Sequence, residues 1–170
     1  MDTEINESFQ IEEFKLLKGI VICKESGEYL LDLILDSIIN PIMLSSFVGA
    51  LSLFGKDNLG KIEEINVKGL DVDMIIVSKY NLILIAIMDK DFIQHDIRNE
   101  AETALDMFYM LYQDETDGCV DLSKFESFKE VLLGQIKEYF ERAKKTTENE
   151  KVGDFGFFTQ AIQKMRNGQG

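Results

Sequence analysis

The stretch from Gln113 to Phe125 has the composition of a calcium loop. Setting Gly118 at the loop's glycine puts Glu115, Asp117 and Asp121 at ligand positions and Val120 at the hydrophobic one. The first position is then Gln113. The last is Lys124, a cation where a bidentate glutamate would stand, so a solvated acidic loop is expected. His95, the one histidine, stands beside Asp96 and near Asp91, which would allow an acid–base dyad. No nucleophile motif accompanies it, and a surface histidine is the simpler reading. Zinc would need a cluster of ligands that one histidine and two distant cysteines, Cys23 and Cys119, do not supply. Asp154-Phe155-Gly156 spells a kinase triplet, but the glycine-rich and catalytic loops are missing. There is no phosphate-binding P-loop, so the chain is not itself a GTPase. Glu63-Glu64 and Asp71 with Asp73 read as solvated turn and edge carboxylates. No catalytic, cofactor-binding or metal-ligating residue is assigned, and a non-catalytic protein is expected.

Composition narrows the class further. At 170 residues the chain fits one domain of ordinary size with room for a tail. A hydrophobic share of 45% is ample for a core, and no apolar run reaches the ~18 residues of a membrane span. The start, Met1-Asp2-Thr3-Glu4, is acidic rather than a signal sequence. The net charge of -13 argues against nucleic acid and anionic membrane as direct partners and suits a basic or neutral protein surface. Two cysteines without a framework fit a reducing, cytoplasmic setting.

The chain reads as α+β. Leu16 to Cys23 is a strand apolar on both faces, and Tyr29 to Leu35 is a second strand with Asp32 and Asp36 on one face. Ile62 to Val67, Val72 to Val77 and Leu82 to Met88 follow as a meander, joined at Lys68-Gly69 and Tyr80-Asn81. The first and last strands, buried on both faces, belong in mid-sheet. The expected order is 2-1-5-4-3, a five-stranded antiparallel sheet with one helix on one face and two on the other. Asp91, with Gln94 three residues on, is a candidate cap for one late helix. Ser123 with Glu126 is a candidate start for the other.

The helix between the second and third strands is unusual. Asn40 suits the N-cap, Pro41 the first turn and Gly55 the C′ position. Leu44, Phe47, Val48, Leu51 and Phe54 form one stripe. Ser45, Ser46, Gly49, Ala50 and Ser52 fill the rest, with no charge between Pro41 and Gly55. A surface helix normally carries charge on its outer face. The expectation is a helix with its own core on one side and a partner on the other, its small residues letting another backbone approach. The expected interface is Leu44, Ser45, Phe47, Val48, Gly49, Leu51 and Ser52, extended by Ile62 and Ile65 on the adjoining strand.

Residues 46–56 (Ser-Phe-Val-Gly-Ala-Leu-Ser-Leu-Phe-Gly-Lys) resemble the first helix of small archaeal and trafficking-type longin proteins. Gly60-Lys61-Ile62-Glu63-Glu64-Ile65 and the apolar strand ending at Met88-Asp89 add to the likeness, which covers roughly residues 15–143. The related roadblock fold places a helix before the first strand, and residues 4–13 are the candidate for it. The resemblance implies a profilin-like sheet and dimerisation with itself or a related longin or roadblock protein. It also implies binding or regulation of a small Ras-like GTPase, or service as a vesicle-trafficking adaptor or tether. The alternative of another class is a metal-binding protein using the acidic loop.

The expected division is an arm over residues 1–14, the longin-like domain over 15–145, and a linker with a short amphipathic tail over 146–170. In the tail Phe155, Phe158, Ile162 and Met165 recur on one helical face. The family likeness implies that this face could dock back over a partner site.

Overall fold

The computed structural model describes residues 15–92 and 96–168, with the backbone alone over 147–163. The chain divides into two units, one ending at Leu133 and one running from Gly134. In the first, β1 (Leu17–Lys24), β2 (Tyr29–Ile34), β3 (Glu64–Lys68), β4 (Val72–Lys79) and β5 (Leu82–Asp89) form an antiparallel sheet of order β2-β1-β5-β4-β3. This is the order that the two doubly apolar strands demand. β1 and β5 pair in mid-sheet from Leu17↔Met88 to Lys24↔Leu82. There Val21, Ile22, Ile83 and Ile85 are wholly buried.

Helix α1 (Pro41–Asn58) lies on β1 and β2, and α2 (Ile97–Tyr112) lies on β4 and β5. Val48 of α1 joins Val21, Cys23, Ile76, Ile83, Ile85 and Ile87 in one core cluster. Burial pushes the Cys23 thiol up to about 11, so it packs as a neutral side chain. The second core is aromatic. Phe108 of α2 meets Phe125 and Phe128 at ring-centroid distances of 5.3 Å and 5.2 Å, tilted and edge-on, and all three are fully buried. Phe125 closes the short 3₁₀ turn Leu122–Phe125, and Phe128 opens α3 (Phe128–Asn167).

Three helix boundaries differ from the sequence reading. α1 does not stop at Gly55. It continues to Asn58, the Leu59 N–H donates to the Gly55 carbonyl, and Gly60 takes the left-handed turn at φ 91°. Asp91 does not cap α2. Its N–H donates to the Asp89 carboxylate and the Phe92 N–H to the Asp89 carbonyl, a turn that buries Phe92 before the helix begins at Ile97. Asp121, rather than Ser123, caps the turn that leads into α3, accepting from the Ser123 N–H at 3.1 Å.

In the second unit the backbone is one helix to Asn167, running through residues 146–150, where a polar linker was expected. Lys144, Lys145, Glu148, Glu150 and Lys151 are good helix formers, and polarity without proline or glycine does not break a helix.

Ion pairs fasten the rim of the first unit. Arg98 reaches Glu64 at 3.0 Å, Glu102 at 3.2 Å and Glu63 at 3.6 Å, tying α2 to the start of β3. At the β4–β5 turn Tyr80 and Asn81 have φ of 57° and 65°, as a two-residue hairpin requires. That conformation is costly for tyrosine. It is held by ring stacking on Tyr109 at 4.3 Å and by the Lys79–Asp106 pair at 2.8 Å.

Asp73 is buried in β4 between Lys90 and Lys68, the latter at 2.9 Å. Hydrogen bonds from Lys90 first, then Lys68, lower its carboxyl from 3.8 to about 2. The folded value lies below the unfolded one. Its stabilisation is therefore complete above ~pH 4 and is lost as pH falls towards 2. In acid unfolding Asp73→Asn should be less stable than wild type at pH 5, with the difference shrinking as pH falls to 2.

The tightest contact lies beneath α1. A Cβ added at Gly49 would sit 2.4 Å from the Gly27 Cα and 2.6 Å from its nitrogen. Gly27 itself has φ 93° in the β1–β2 turn. Gly49→Ala should cost about 1–3 kcal/mol in urea unfolding, as over-packing against backbone does. Ala50→Gly, on the exposed side of the same helix, should cost about 1 kcal/mol through helix propensity alone.

Candidate interaction surface

α1 is turned over relative to the sequence expectation. Its buried residues are Ser45, Val48, Gly49, Ser52 and Gly55, spaced three and four apart along one face. Of the large stripe only Val48 is buried. Leu44 and Leu51 are half-buried, and Phe47 and Phe54 face outward. Both stripes have helical periodicity, so the period could not say which one faces in. Backbone contact decides it. Gly49 rests on Gly27 of the β1–β2 turn, and a Cβ at Gly55 would overlap the Ile62 side chain, so at these two points α1 lies too close to its neighbours for larger residues. The small-residue stripe Ser45, Gly49, Ser52, Gly55 was the signal that could have revealed this.

Ser45, Val48, Gly49 and Ser52 therefore belong to the domain's own core, not to a surface open to a partner. Their polar atoms are accommodated in part within the helix, the Ser45 hydroxyl donating to the Pro41 carbonyl at 2.7 Å. Phe47 is the one proposed interface residue of α1 that stands free, and Ile62 and Ile65 are half-buried.

The outer face is instead made of Ile42, Met43, Phe47, Leu53 and Phe54, exposed by 63%, 69%, 55%, 63% and 59%. Ser46 and Ala50 lie exposed between them, and the first charges are Lys56 and Asp57 at the C-terminal end. An open groove of about 480 Å³ runs along one flank, lined by Ser26, Ser46, Ala50, Leu53 and Lys56 among others. The free strand β3, at the opposite edge of the sheet from β2, carries the exposed Val67, and the β3–β4 turn carries the fully exposed Leu70. The uncharged apolar face of α1, rather than scattered apolar residues, marks an interaction site.

The other candidate sites come apart in space or lie elsewhere. His95 is outside the described residues. Among the described residues no group of three or more histidine, cysteine or acidic side chains is placed to hold a metal. No helix there is long and apolar enough to cross a membrane. In the acidic loop Asp121 uses one oxygen on both the Ser123 N–H and the Ser123 hydroxyl, at 3.1 Å and 2.6 Å. These bonds lower its pKa, the hydroxyl contributing most. Phe155, Phe158 and Ile162 lie where only the backbone is described, and Met165 is exposed.

No protein-family model matches the chain, and no curated protein matches it in sequence. The fold does have solved counterparts. A roadblock/LC7 domain from Streptomyces avermitilis superposes with TM-score 0.50 at 9% identity, covering 57% of this chain and 86% of that one. MglB of Myxococcus xanthus gives 0.50 at 14% identity, covering 61% and 90%. An MglB with tetrameric arrangement gives 0.51 at 10% identity, covering 61% and 84%. The fold is thus roadblock/longin-like, the class that the element order and the residue 46–56 stretch suggested.

Because Asp121 is committed to its own turn and Lys124 follows it, calcium should not bind this loop. Millimolar Ca²⁺ should leave the melting temperature of wild type and of Asp117→Asn/Asp121→Asn unchanged alike. A calcium-dependent rise in wild type that the double variant loses would contradict this.

Proposed function

We propose that this chain is a non-catalytic, dimeric interaction module that binds or regulates a small Ras-like GTPase. The observation that carries the association is the uncharged outer face of α1, where five large apolar side chains stand more than half exposed. Geometry supports the same reading. A helix is about 10 Å wide and strands lie about 4.8 Å apart, so one helix covers about two strands. α1 lies on β1 and β2, which leaves Val67, Val72 and Met74 of β3 and β4 thinly covered on its side. A partner helix laid beside α1, with the free β3 edge, would cover them. A standard interface takes about 800 Å² per partner, more than one helix face offers, so the β3 edge is part of the proposal.

The GTPase reading rests on the fold's likeness to longin and roadblock domains. The acidic net charge favours a basic or neutral partner surface.

Sedimentation equilibrium should find a dimer at micromolar concentration. Phe54→Glu and Met43→Glu, both at exposed positions, should stay folded and weaken association at least about 100-fold, since each would bury an unpaired carboxylate. A wild type that is monomeric at high micromolar concentration would overturn the dimer. Pull-downs with small GTPases of the host, loaded with GDP or a GTP analogue, test the second half. Retention of none in either state would overturn it.

A further inference from the structure

The last turns of α3 differ in composition from the rest of the chain. From Phe155 to Gly170 there is no acidic residue, and Lys164 and Arg166 carry the charge, in a chain of net charge -13. The backbone there is helical to Asn167. At about 100° per residue, Phe155, Phe157, Phe158, Ala161, Ile162 and Met165 fall together on an arc of about 160°. Thr159, Gln160, Gln163 and Asn167 fall on the other side. Lys164 stands at one border of the arc and Arg166 at the other. Extended backwards, the arc would take in Glu150 and Asp154, so it begins at Phe155. Lys164, Met165 and Arg166 are exposed.

We infer that residues 155–166 are an amphipathic helix that lies on an anionic lipid surface. This site is separate from the outer face of α1 and does not depend on association there.

The width of the arc selects the partner. A helix seated in a protein groove is read through a narrow seam of residues three and four apart. Phe155, Phe158, Ile162 and Met165 would make that seam, and Phe157 and Ala161 fall outside it. A membrane interface covers nearly half of a helix that lies flat in it, and takes all of them. Lysine and arginine lay their apolar stems along such a face and carry their charge to its rim. Cations at both borders of the arc are thus placed for lipid phosphates on either side.

Length fits lying rather than crossing. The segment is about 18 Å of helix, against ~30 Å of hydrocarbon in a bilayer. A helix so short is marginal alone in water, and here it continues α3, which already supplies the nucleus. The acidity of the whole chain does not forbid the contact. Surface charge acts within a Debye length, about 8 Å at physiological salt, so the charge of the touching segment decides. Two cations and one short apolar face make the binding reversible and dependent on both.

Co-sedimentation of the full chain with vesicles tests this. One set is phosphatidylserine and phosphatidylcholine at one to three, the other phosphatidylcholine alone. Each is mixed with wild type, with Phe158→Glu/Ile162→Glu and with Lys164→Gln/Arg166→Gln. Wild type should pellet with the anionic vesicles. Partitioning should be about tenfold weaker on phosphatidylcholine alone and for either variant. Lys164→Gln/Arg166→Gln should keep the wild-type circular dichroism without lipid, so its loss of binding is not a loss of fold. Wild type left in the supernatant by both vesicles overturns the inference, and the apolar face then docks on protein. Equal pelleting with both vesicles overturns it too, since the contact then does not read lipid charge. So does either variant pelleting as well as wild type, since another part of the chain then binds. Sedimentation without lipid reads the association of α1 separately.

Discussion

The contact of Gly49 with Gly27 sets the rest of the first unit. It brings α1 against the β1–β2 turn so closely that no side chain fits between the two backbones there. Ser45, Ser52 and Gly55 continue the same close line, and Gly55 leaves space for Ile62 at the approach to β3. Val48 is the single large α1 residue that this spacing admits fully to the core. Leu44 and Leu51 are half-buried, and the other large apolar residues of the helix face outward. An interior requirement on one face thus creates the functional character of the other.

The same contact decides how much was legible in the sequence. The sheet order was, because Ile20–Cys23 and Leu82–Met88 are apolar on both faces and only mid-sheet positions bury both. The Tyr80-Asn81 turn was legible too, since two residues between apolar runs make a hairpin. The orientation of α1 was not. Hydrophobic size predicts burial when a helix is separated from its neighbours by ordinary side chains, and here glycine contact removes that separation at the β1–β2 turn. The start of α2 was misplaced because Asp89 takes the N–H groups of Asp91 and Phe92 into a turn, and capping-box spacing is blind to that competition. Of the large residues on the outer face, the expected interface included Phe47 and left out Ile42, Met43, Leu53 and Phe54, for the same reason.

The opposite side of the sheet is organised by different forces. α2 is held by an aromatic cluster at one end and by charge at both flanks, with Arg98 gripping Glu63 and Glu64 and Lys79 gripping Asp106. Exposed pairs of this kind contribute little energy individually, and their effect here is to fix where α2 sits relative to β3 and the β4–β5 turn. The α1 side has no comparable charged fastening among the described residues. Its outer face is apolar and uncharged, which is the condition for covering it with another protein rather than with water.

If the proposed association is right, the outer face of α1 is open in the single chain and closed in the dimer. Hydroxyl-radical footprinting across a dilution series measures that directly. Met43, Phe47 and Phe54 should be labelled readily in dilute protein and lose labelling as concentration rises, while Met110, exposed on α2, stays constant. Resistance of Phe47 and Phe54 to labelling even at the lowest concentration would place the face inward and contradict the proposed surface. Steady labelling of both while the solution mass doubles would show that association uses another surface and would contradict it equally.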